Sequence, residues 1–239
     1  MTGHTRALLA EVAGTFMFFY IGAGAIVAAL AGGGGGGGIG SIALAHGLAL
    51  AVAVSVFGPL SGGHFNPAVT FGLAVAGKHP WPRVPTYWIA QIVGALAAGF
   101  ALRYSFDFAP IALDRTHVGT PALGAGVTIA IAIAVEAILT IFLLWAVFGT
   151  AVSPLAPRIA GFGIGLTVSA DIFVGGGITG AAMNPARWLG PAVAAGFYDN
   201  WYVYFVGPLV GAAIAGLSYR FVFEPPRDLA PSRPAAPEA

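Results

Sequence analysis

The chain carries the segment SGGHFNPAVTFG at residues 61–72 and repeats its pattern as TGAAMNPARWLG at residues 179–190. Each copy contains an Asn-Pro-Ala triplet. Asn is a strong N-cap and Pro is favoured at the first helical position, so each triplet predicts the start of a helix. Glycines and prolines downstream keep both helices too short to cross a bilayer. The two triplets are Asn66-Pro67-Ala68 and Asn184-Pro185-Ala186.

Composition places this repeat in a membrane protein. Hydrophobic residues make up 58% of the 239-residue chain, charged residues make up 8%, and the mean hydropathy is +0.86. These values lie outside the range of soluble domains. The net charge of +1 argues against nucleic acid as a partner, and the absence of cysteine excludes disulfides and cysteine nucleophiles. No nucleophile–base set, metal cluster or phosphate loop is evident, so we expect no enzyme activity, no metal and no cofactor.

Apolar segments of spanning length indicate the architecture. Six are present, and short re-entrant segments follow the second and the fifth. Three spans per half make the second half enter the membrane from the opposite side, as in an inverted repeat. We therefore expect an all-α membrane protein with six transmembrane helices and two re-entrant half-helices that meet head to head. The predicted spans are residues 8–30, 39–57, 84–102, 124–148, 159–174 and 201–223.

The domain organisation follows from these spans. One transmembrane domain covers residues 1–223, with inverted repeats at about 6–104 and 124–223, and residues 224–239 predict a disordered tail. The glycine run from Gly32 to Gly38 occurs in one half only and predicts a flexible outer loop. Most basic residues fall on the cytoplasmic side if the N-terminus is cytoplasmic, so we expect both chain ends there.

Two acidic residues occupy corresponding places in the two halves. Glu11 lies in the first predicted span and Glu136 in the fourth. A carboxylate at membrane depth is costly unless it meets donors, so we expect both to accept hydrogen bonds from the backbone of the re-entrant loops. A proton relay is the alternative for these two side chains.

These residues together resemble the aquaporins and glycerol facilitators, the major intrinsic protein family. The resemblance covers about residues 5–223. It rests on both Asn-Pro-Ala triplets, on Arg187 after the second, on Ser-Gly-x-His before the first and on the opening Glu-x-x-Gly-Thr-Phe. It implies one pore per subunit and a homotetramer in the lipid bilayer. A cytoplasmic N-terminus suits a cell membrane, and we expect a bacterial inner membrane.

The pore mechanism can be argued from the half-helices. Asn66 and Asn184 would cap two opposed helix N-termini and donate their side-chain amides to a passing solute. A water molecule held in this way cannot pass a proton along a single file of water molecules in the pore, and Arg187 repels cations. The alternatives are plain structural caps for the asparagines and an interfacial position for Arg187. Backbone carbonyls before the triplets should replace lost hydration; they belong to Gly62, Gly63, His64, Phe65, Gly180, Ala181, Ala182 and Met183.

Selectivity in this family depends on a narrow ring formed by the arginine and three further positions. Counting back from the asparagines identifies His46, Ile172 and Ala181 as the companions of Arg187. This set departs from that of strict water channels and looks like one found in plant vacuolar aquaporins. It would admit ammonia, urea, hydrogen peroxide or glycerol beside water. The alternative for His46 is a packed helix histidine.

Two further residues are candidates for an extended filter. His117 lies in the loop between the halves, where some ammonia-conducting relatives place a filter histidine; a solvated loop residue is the alternative. Asp171 adjoins Ile172, and a carboxylate at that depth needs a partner. We expect Asp171 to orient a filter histidine.

Three functions are compatible with these features. The first is a passive water channel that also conducts small neutral solutes and excludes protons and ions. The second is a glycerol-type facilitator; Trp188 and the pair Tyr204-Phe205 stand where glycerol facilitators carry other residues. The third is a membrane adhesion protein on the same scaffold, for which the short outer loops offer no evident surface.

Overall fold

A computed structural model describes residues 2–32, 38–159 and 161–226 of the chain. Within these ranges the regular structure is entirely helical. The predicted outer glycine loop lies almost wholly at residues 33–37, outside the described residues, as does most of the predicted tail. Of that tail, residues 224–226 are described, and Glu224 accepts a hydrogen bond from Lys78 Nζ at 2.5 Å.

The described ranges contain nine α-helices in chain order: α1 Gly3–Ala31, α2 Gly38–Ser61, α3 Pro67–Val75, α4 Val84–Ser105, α5 Pro110–Arg115, α6 Ile129–Val147, α7 Gly161–Gly175, α8 Pro185–Ala195 and α9 Val203–Ser218. A short 3₁₀ turn, Trp81–Arg83, precedes α4, and another, His117–Gly119, follows α5. Helices α6 and α9 are each extended by a π-helical turn.

Five of these helical segments are long and apolar enough to cross a membrane. They correspond to the first four predicted spans and to the sixth. The helix at the fifth predicted span, α7, has 15 residues and a length of about 22 Å, which is below the ~30 Å thickness of the hydrocarbon core of a bilayer. It ends at a run of glycines, Gly175 to Gly177, from which the chain turns into the second repeated segment.

The helix at the fourth predicted span begins later in the chain than predicted. The prediction placed its beginning at Gly124, but α6 begins at Ile129. Thr128 provides the reason, because its side chain caps the helix by accepting from the N–H of Ile131. The preceding chain bonds elsewhere, with the N–H of Gly124 donating to the carbonyl of Ile178.

The two repeated segments form the short helices that the triplets predict. Helix α3 has 9 residues and α8 has 11, and each begins at the proline of its triplet. Both are surrounded by long helices: α3 packs on α9 and α4, and α8 packs on α4. The half-helices therefore lie inside the bundle.

Close helix crossings depend on glycine at a few positions. A Cβ on Gly47 of α2 would lie 2.5 Å from the carbonyl oxygen of Gly165 on α7. A Cβ on Gly190 of α8 would lie 2.3 Å from the carbonyl oxygen of Ala95 on α4. Side chains cannot occupy such distances, so these glycines let the backbones approach.

The distribution of side chains is that of a protein in lipid. Polar groups such as Glu11, Gln91 and Glu136 are fully buried, whereas large apolar side chains such as Leu44 and Leu48 on successive turns of α2 are half exposed. A soluble domain would reverse this pattern. The chain is an integral membrane protein.

Candidate channel pore

The loop before α3 is held by Glu11. Its carboxylate accepts from the Ser61 hydroxyl at 2.6 Å and from the backbone N–H groups of His64 and Phe65 at 3.0 and 2.8 Å. The side-chain amide of Gln91 donates a fourth bond at 2.7 Å. These donors satisfy a carboxylate that is fully buried.

The loop before α8 is held in the same way by Glu136. Its carboxylate accepts from the Thr179 hydroxyl at 2.6 Å, from the Ala182 N–H at 2.9 Å and from the Met183 N–H at 2.6 Å. Met183 adopts a φ of 52°, a left-handed conformation that is uncommon outside glycine. The bonds to the carboxylate therefore hold the loop in a backbone conformation that is strained on its own.

A tyrosine reinforces each loop. The Tyr87 hydroxyl donates to the carbonyl of Ser61 at 2.8 Å, and the Tyr204 hydroxyl donates to the carbonyl of Thr179 at 2.9 Å. The sequence carries a signal for this pair, because each tyrosine follows its partner by nearly the same distance, 26 and 25 residues.

Both asparagines cap their helices through the side-chain oxygen. Asn66 Oδ1 accepts from the N–H of Ala68 at 2.8 Å, and Asn184 Oδ1 accepts from the N–H groups of Ala186 and Arg187 at 3.0 and 3.2 Å. Each amide nitrogen also donates across to the other loop. Asn66 Nδ2 bonds the carbonyl of Met183 at 2.9 Å, and Asn184 Nδ2 bonds the carbonyl of Phe65 at 3.0 Å.

A narrow cavity runs between the long helices and both loops. Its lining includes all four predicted filter residues and both asparagines, together with apolar side chains that the sequence analysis did not single out. Of the predicted carbonyl positions, Gly62, Phe65 and Gly180 are not among the lining residues. The lining comprises Phe18, His46, Leu50, Gly63, His64, Asn66, Val69, Leu143, Val147, Ile164, Val168, Ile172, Ala181, Ala182, Met183, Asn184 and Arg187.

Arg187 and His46 contact each other directly at the cavity. Arg187 Nε lies 3.2 Å from His46 Nε2, and Arg187 Nη1 donates to the carbonyl of Gly119 at 2.9 Å. Arginine has no acceptor, so His46 Nε2 must be the unprotonated nitrogen. His46 Nδ1 then carries the proton and donates to the carbonyl of Ile42 at 2.9 Å. Both imidazole nitrogens are thus occupied by the protein.

Arg187 carries its charge into the cavity and forms no salt bridge within the described ranges, although Glu136 is near enough to interact with it electrostatically. Within the described ranges, the recorded ion pair is Lys78–Glu224, far along the chain from this site. Arg187 is 2% exposed and follows Asn184 by three positions, in the first turn of α8. A fixed cation beside a helix N-terminus makes this part of the cavity electropositive.

His64 also has a fixed tautomer. The Thr70 hydroxyl donates to the carbonyl of Asn66 at 3.1 Å and accepts from Gln91 Nε2 at 2.9 Å. Since its single proton is used, Thr70 must accept from His64 Nδ1, which lies 3.0 Å away. His64 Nε2 is therefore an acceptor at the cavity wall.

His79 packs behind His64, in the connection between α3 and α4. Its ring centroid lies 4.9 Å from that of His64 and 4.6 Å from that of Tyr87. Burial lowers the pKa of His79 to about 4, and nearby His64 and Arg83 act in the same direction. The imidazole is therefore neutral near pH 7.

His117 does not join the filter residues. Its ring stacks on Phe197 with the centroids 3.9 Å apart, and it lines a separate loop pocket with Arg103, Asp107 and Asp114. The neighbouring Gly119 supplies the carbonyl that Arg187 bonds. The loop thus contacts Arg187 through its backbone.

Asp171 does not contact a filter histidine. It lies in an apolar groove between α6 and α7, lined among others by Val135, Leu139 and Phe142. Its buried Oδ2 has no hydrogen-bond partner in the part of the chain that the structure describes. The expectation that it orients His46 or His117 is not met, because α7 turns Ile172 toward the cavity and Asp171 toward the outer groove.

Two capped half-helices that meet inside an all-helical membrane bundle, beside a narrow lined cavity, define a channel protein. The sequence pattern of the family described as Major intrinsic protein matches residues 2–219, and the chain belongs to this family. Its members are channels and not enzymes, and the same holds for this chain.

Named relatives and a solved structure agree with this assignment. The chain is 43% identical to Aquaporin TIP4-4 of Zea mays, over 92% of this chain and 88% of the relative. It is 39% identical to Probable aquaporin NIP4-2 of Arabidopsis thaliana, over 95% of this chain and 79% of that relative. The X-ray structure of the aquaglyceroporin from Plasmodium falciparum superposes with a TM-score of 0.82 at 27% identity, covering 92% of this chain and 97% of that one.

Proposed function

We propose that the chain is a passive channel for water that also conducts small neutral solutes and excludes protons and ions. The observation that carries the proposal is the reciprocal bonding of Asn66 and Asn184 at the wall of a cavity that Arg187 makes electropositive. The family membership and the aquaporin relatives support the same function.

Asn66 and Asn184 supply hydrogen-bond donors to the water molecules that pass through the pore in single file. Each side-chain amide has two N–H groups and uses one of them to bond the opposite loop, which leaves the second for a solute. A water that accepts these bonds points its hydrogens away from the asparagines on both sides. It cannot relay a proton, and the helix N-termini and Arg187 repel cations.

Acceptors for the file come from the two loops. Gly63, His64, Ala181, Ala182 and Met183 line the cavity, and their carbonyls replace part of the hydration that a solute loses. The acceptor nitrogen of His64 adds a side-chain site near the first loop. The opposite wall is apolar and binds water weakly, which favours rapid passage.

The filter should admit more than water. Ile172 and Ala181 are small or apolar, and His46 has no free nitrogen to offer, so Arg187 is the main polar group facing a solute there. We propose ammonia, urea, hydrogen peroxide and glycerol as further solutes.

A glycerol-type facilitator is the second candidate, because the solved neighbour is described as an aquaglyceroporin. Trp188 bears on this choice only indirectly. It is 1% exposed, stacks on Tyr204 with ring centroids 5.6 Å apart and is absent from the cavity lining. Its position indicates that Trp188 packs α8 against α9.

Assembly and location also belong to the proposal. We propose a homotetramer in a cell membrane, with both chain ends cytoplasmic and two inverted repeats at about residues 6–104 and 124–223. The equivalent bonding of Glu11 and Glu136 supports the repeats. The relatives named above are plant proteins, so they give no support to a bacterial inner membrane.

Stopped-flow light scattering on proteoliposomes tests the function. Water, urea and glycerol permeabilities are compared with those of empty liposomes, and an internal pH dye reports ammonia entry and proton leak. We expect fast water flux, measurable urea and ammonia flux and no proton leak. Glycerol flux comparable with water flux would favour the facilitator. No flux above empty liposomes would contradict both channel functions and leave an adhesion protein.

A further inference from the structure

We infer that Gly22 of α1 is a specificity-determining position, because its lack of a side chain seats His46 where it can hold Arg187. The inference rests on the proposed function. Gly22 belongs to none of the repeated segments, and it lies 24 residues before His46 in the chain.

The ring of His46 lies directly against the backbone of α1. A Cβ on Gly22 would lie 2.5 Å from His46 Cδ2, 2.8 Å from Nε2 and 2.9 Å from Cγ. Real side chains do not approach so closely. Any residue other than glycine must therefore displace the imidazole, which cannot shorten to make room.

The remaining sides of the ring are also occupied. Nδ1 donates to the carbonyl of Ile42 on its own helix, and the ring meets Phe18 edge to face with the centroids 6.2 Å apart. Nε2 accepts from Arg187 Nε. The open direction is the cavity that His46 lines, so a methyl group on Gly22 pushes the ring toward the lumen.

Two changes at the filter follow from this displacement. The ring of residues becomes narrower, and the 3.2 Å bond between Arg187 Nε and His46 Nε2 is lost. Arg187 then keeps its bond to Gly119 and regains an unpaired N–H that turns toward the solute path. The narrower ring penalises urea and glycerol more than water, because water is the smaller molecule.

His46 is accordingly a positioning residue for Arg187. Its nitrogens serve the arginine and the Ile42 carbonyl, and Gly22 is what allows this arrangement. The inference thus assigns part of the selectivity to a helix that contributes no residue to the predicted four-residue filter.

The experiment compares Gly22→Ala with Gly24→Ala, a matched control two residues along the same helix. A Cβ on Gly24 would meet only Leu102 Cδ2, at 2.9 Å, the end of a flexible side chain that does not line the cavity. Two further variants, His46→Ala and the double variant Gly22→Ala/His46→Ala, complete a double-mutant cycle that shows whether Gly22 acts through His46. Urea and water permeabilities are measured for all four variants.

We expect the ratio of urea to water permeability to fall about tenfold in Gly22→Ala, the low end of what one extra methyl group costs in a fitted site. Gly24→Ala should retain the wild-type ratio, and the effect of Gly22→Ala should disappear once His46 is alanine. An unchanged ratio in Gly22→Ala, an equal fall in the control, or a fall that persists without His46 would overturn the inference.

A second measurement does not depend on flux. Solid-state NMR on labelled protein should detect coupling between Arg187 Nε–H and His46 Nε2 in wild type and Gly24→Ala and lose it in Gly22→Ala. Retention in Gly22→Ala would overturn the inference even if the wild type conducts nothing. If Gly22→Ala fails to fold, recovery of folding in the double variant with His46→Ala supports the clash, and failure of both contradicts it.

Discussion

Asn66 and Asn184 each bond the residue that precedes the other. Asn66 Nδ2 donates to the carbonyl of Met183 at 2.9 Å, and Asn184 Nδ2 donates to the carbonyl of Phe65 at 3.0 Å. Each side chain also caps its own helix through Oδ1. The two loops therefore hold each other in register, and the donors that face a solute are fixed by the same bonds.

The variant Asn184→Asp separates capping from donation. The carboxylate keeps an oxygen for the cap but has no N–H for the carbonyl of Phe65, and it adds a negative charge to the cavity. We expect lower water permeability and a cation leak, measured by light scattering and by a potential-sensitive dye. The unpaired carbonyl should also cost about 1–3 kcal/mol of stability.

The matched control is Asn200→Asp, in the loop between α8 and α9 and outside the cavity lining. It should conduct water as the wild type does and exclude cations. Wild-type water flux together with intact cation exclusion in Asn184→Asp would contradict the role given to the asparagine pair.

The variant Glu136→Gln tests the support of the second loop. Glutamine offers one acceptor oxygen where the carboxylate uses two, and its amide then faces a backbone N–H of Ala182 or Met183. A loss of about 1–3 kcal/mol corresponds to a Tm lower by roughly 2–12 °C in a protein of this size. Asp199→Asn, an exposed substitution, should leave the Tm unchanged. Equal melting of Glu136→Gln and wild type would exclude the supporting role.

Asp171 should have no part in selectivity. Both nitrogens of His46 are bonded elsewhere and Asp171 lies in the groove of α6 and α7, so Asp171→Asn should retain the wild-type ratio of urea to water permeability. Asp171→Leu should melt no lower than wild type, because it removes a carboxyl from apolar surroundings.

Ile172→Ala serves as the neighbouring control, since Ile172 lines the cavity and its truncation should raise urea permeability. A changed solute ratio in Asp171→Asn would restore the idea that this carboxylate acts on the filter.

The stability of the solubilised protein should depend on pH through His79. Its folded pKa of about 4 lies below the ordinary value of 6.5, so the unfolded chain binds the proton more readily. The stabilisation is complete above about pH 6.5 and is lost as the pH falls toward 4. Melting scans of His79→Phe should show a smaller decrease of Tm over this interval than wild type. Parallel curves for the two proteins would contradict this assignment.

The sequence predicted those parts of the site that depend on local rules. Asn66 and Asn184 are caps with proline at the next position, and the helices that follow are short as expected. Glu11 and Glu136 meet loop backbone because a buried carboxylate has few other partners there. Hydropathy located the long helices, since lipid contact imposes apolar side chains on most of their length.

What the sequence could not predict depends on packing between distant segments. The bond between His46 and Arg187 joins residues 141 positions apart, and it exists only because Gly22 on a third helix leaves room. Counting back from Asn184 identified Ile172, which lines the cavity, but the sequence did not show that its neighbour Asp171 faces the groove between α6 and α7. The stacking of His117 on Phe197 depends on a loop conformation with a positive φ at His117.

The most direct test of the central claim is the water permeability of Ala181→Cys proteoliposomes before and after addition of mercuric ion. Ala181 lines the cavity and is 4% exposed, and the wild-type chain has no cysteine. We predict fast water flux that mercuric ion blocks in Ala181→Cys, with no effect on wild type or on Ala170→Cys, whose site faces outward. Water flux that persists in mercury-treated Ala181→Cys would show that water does not pass this residue and would contradict the account.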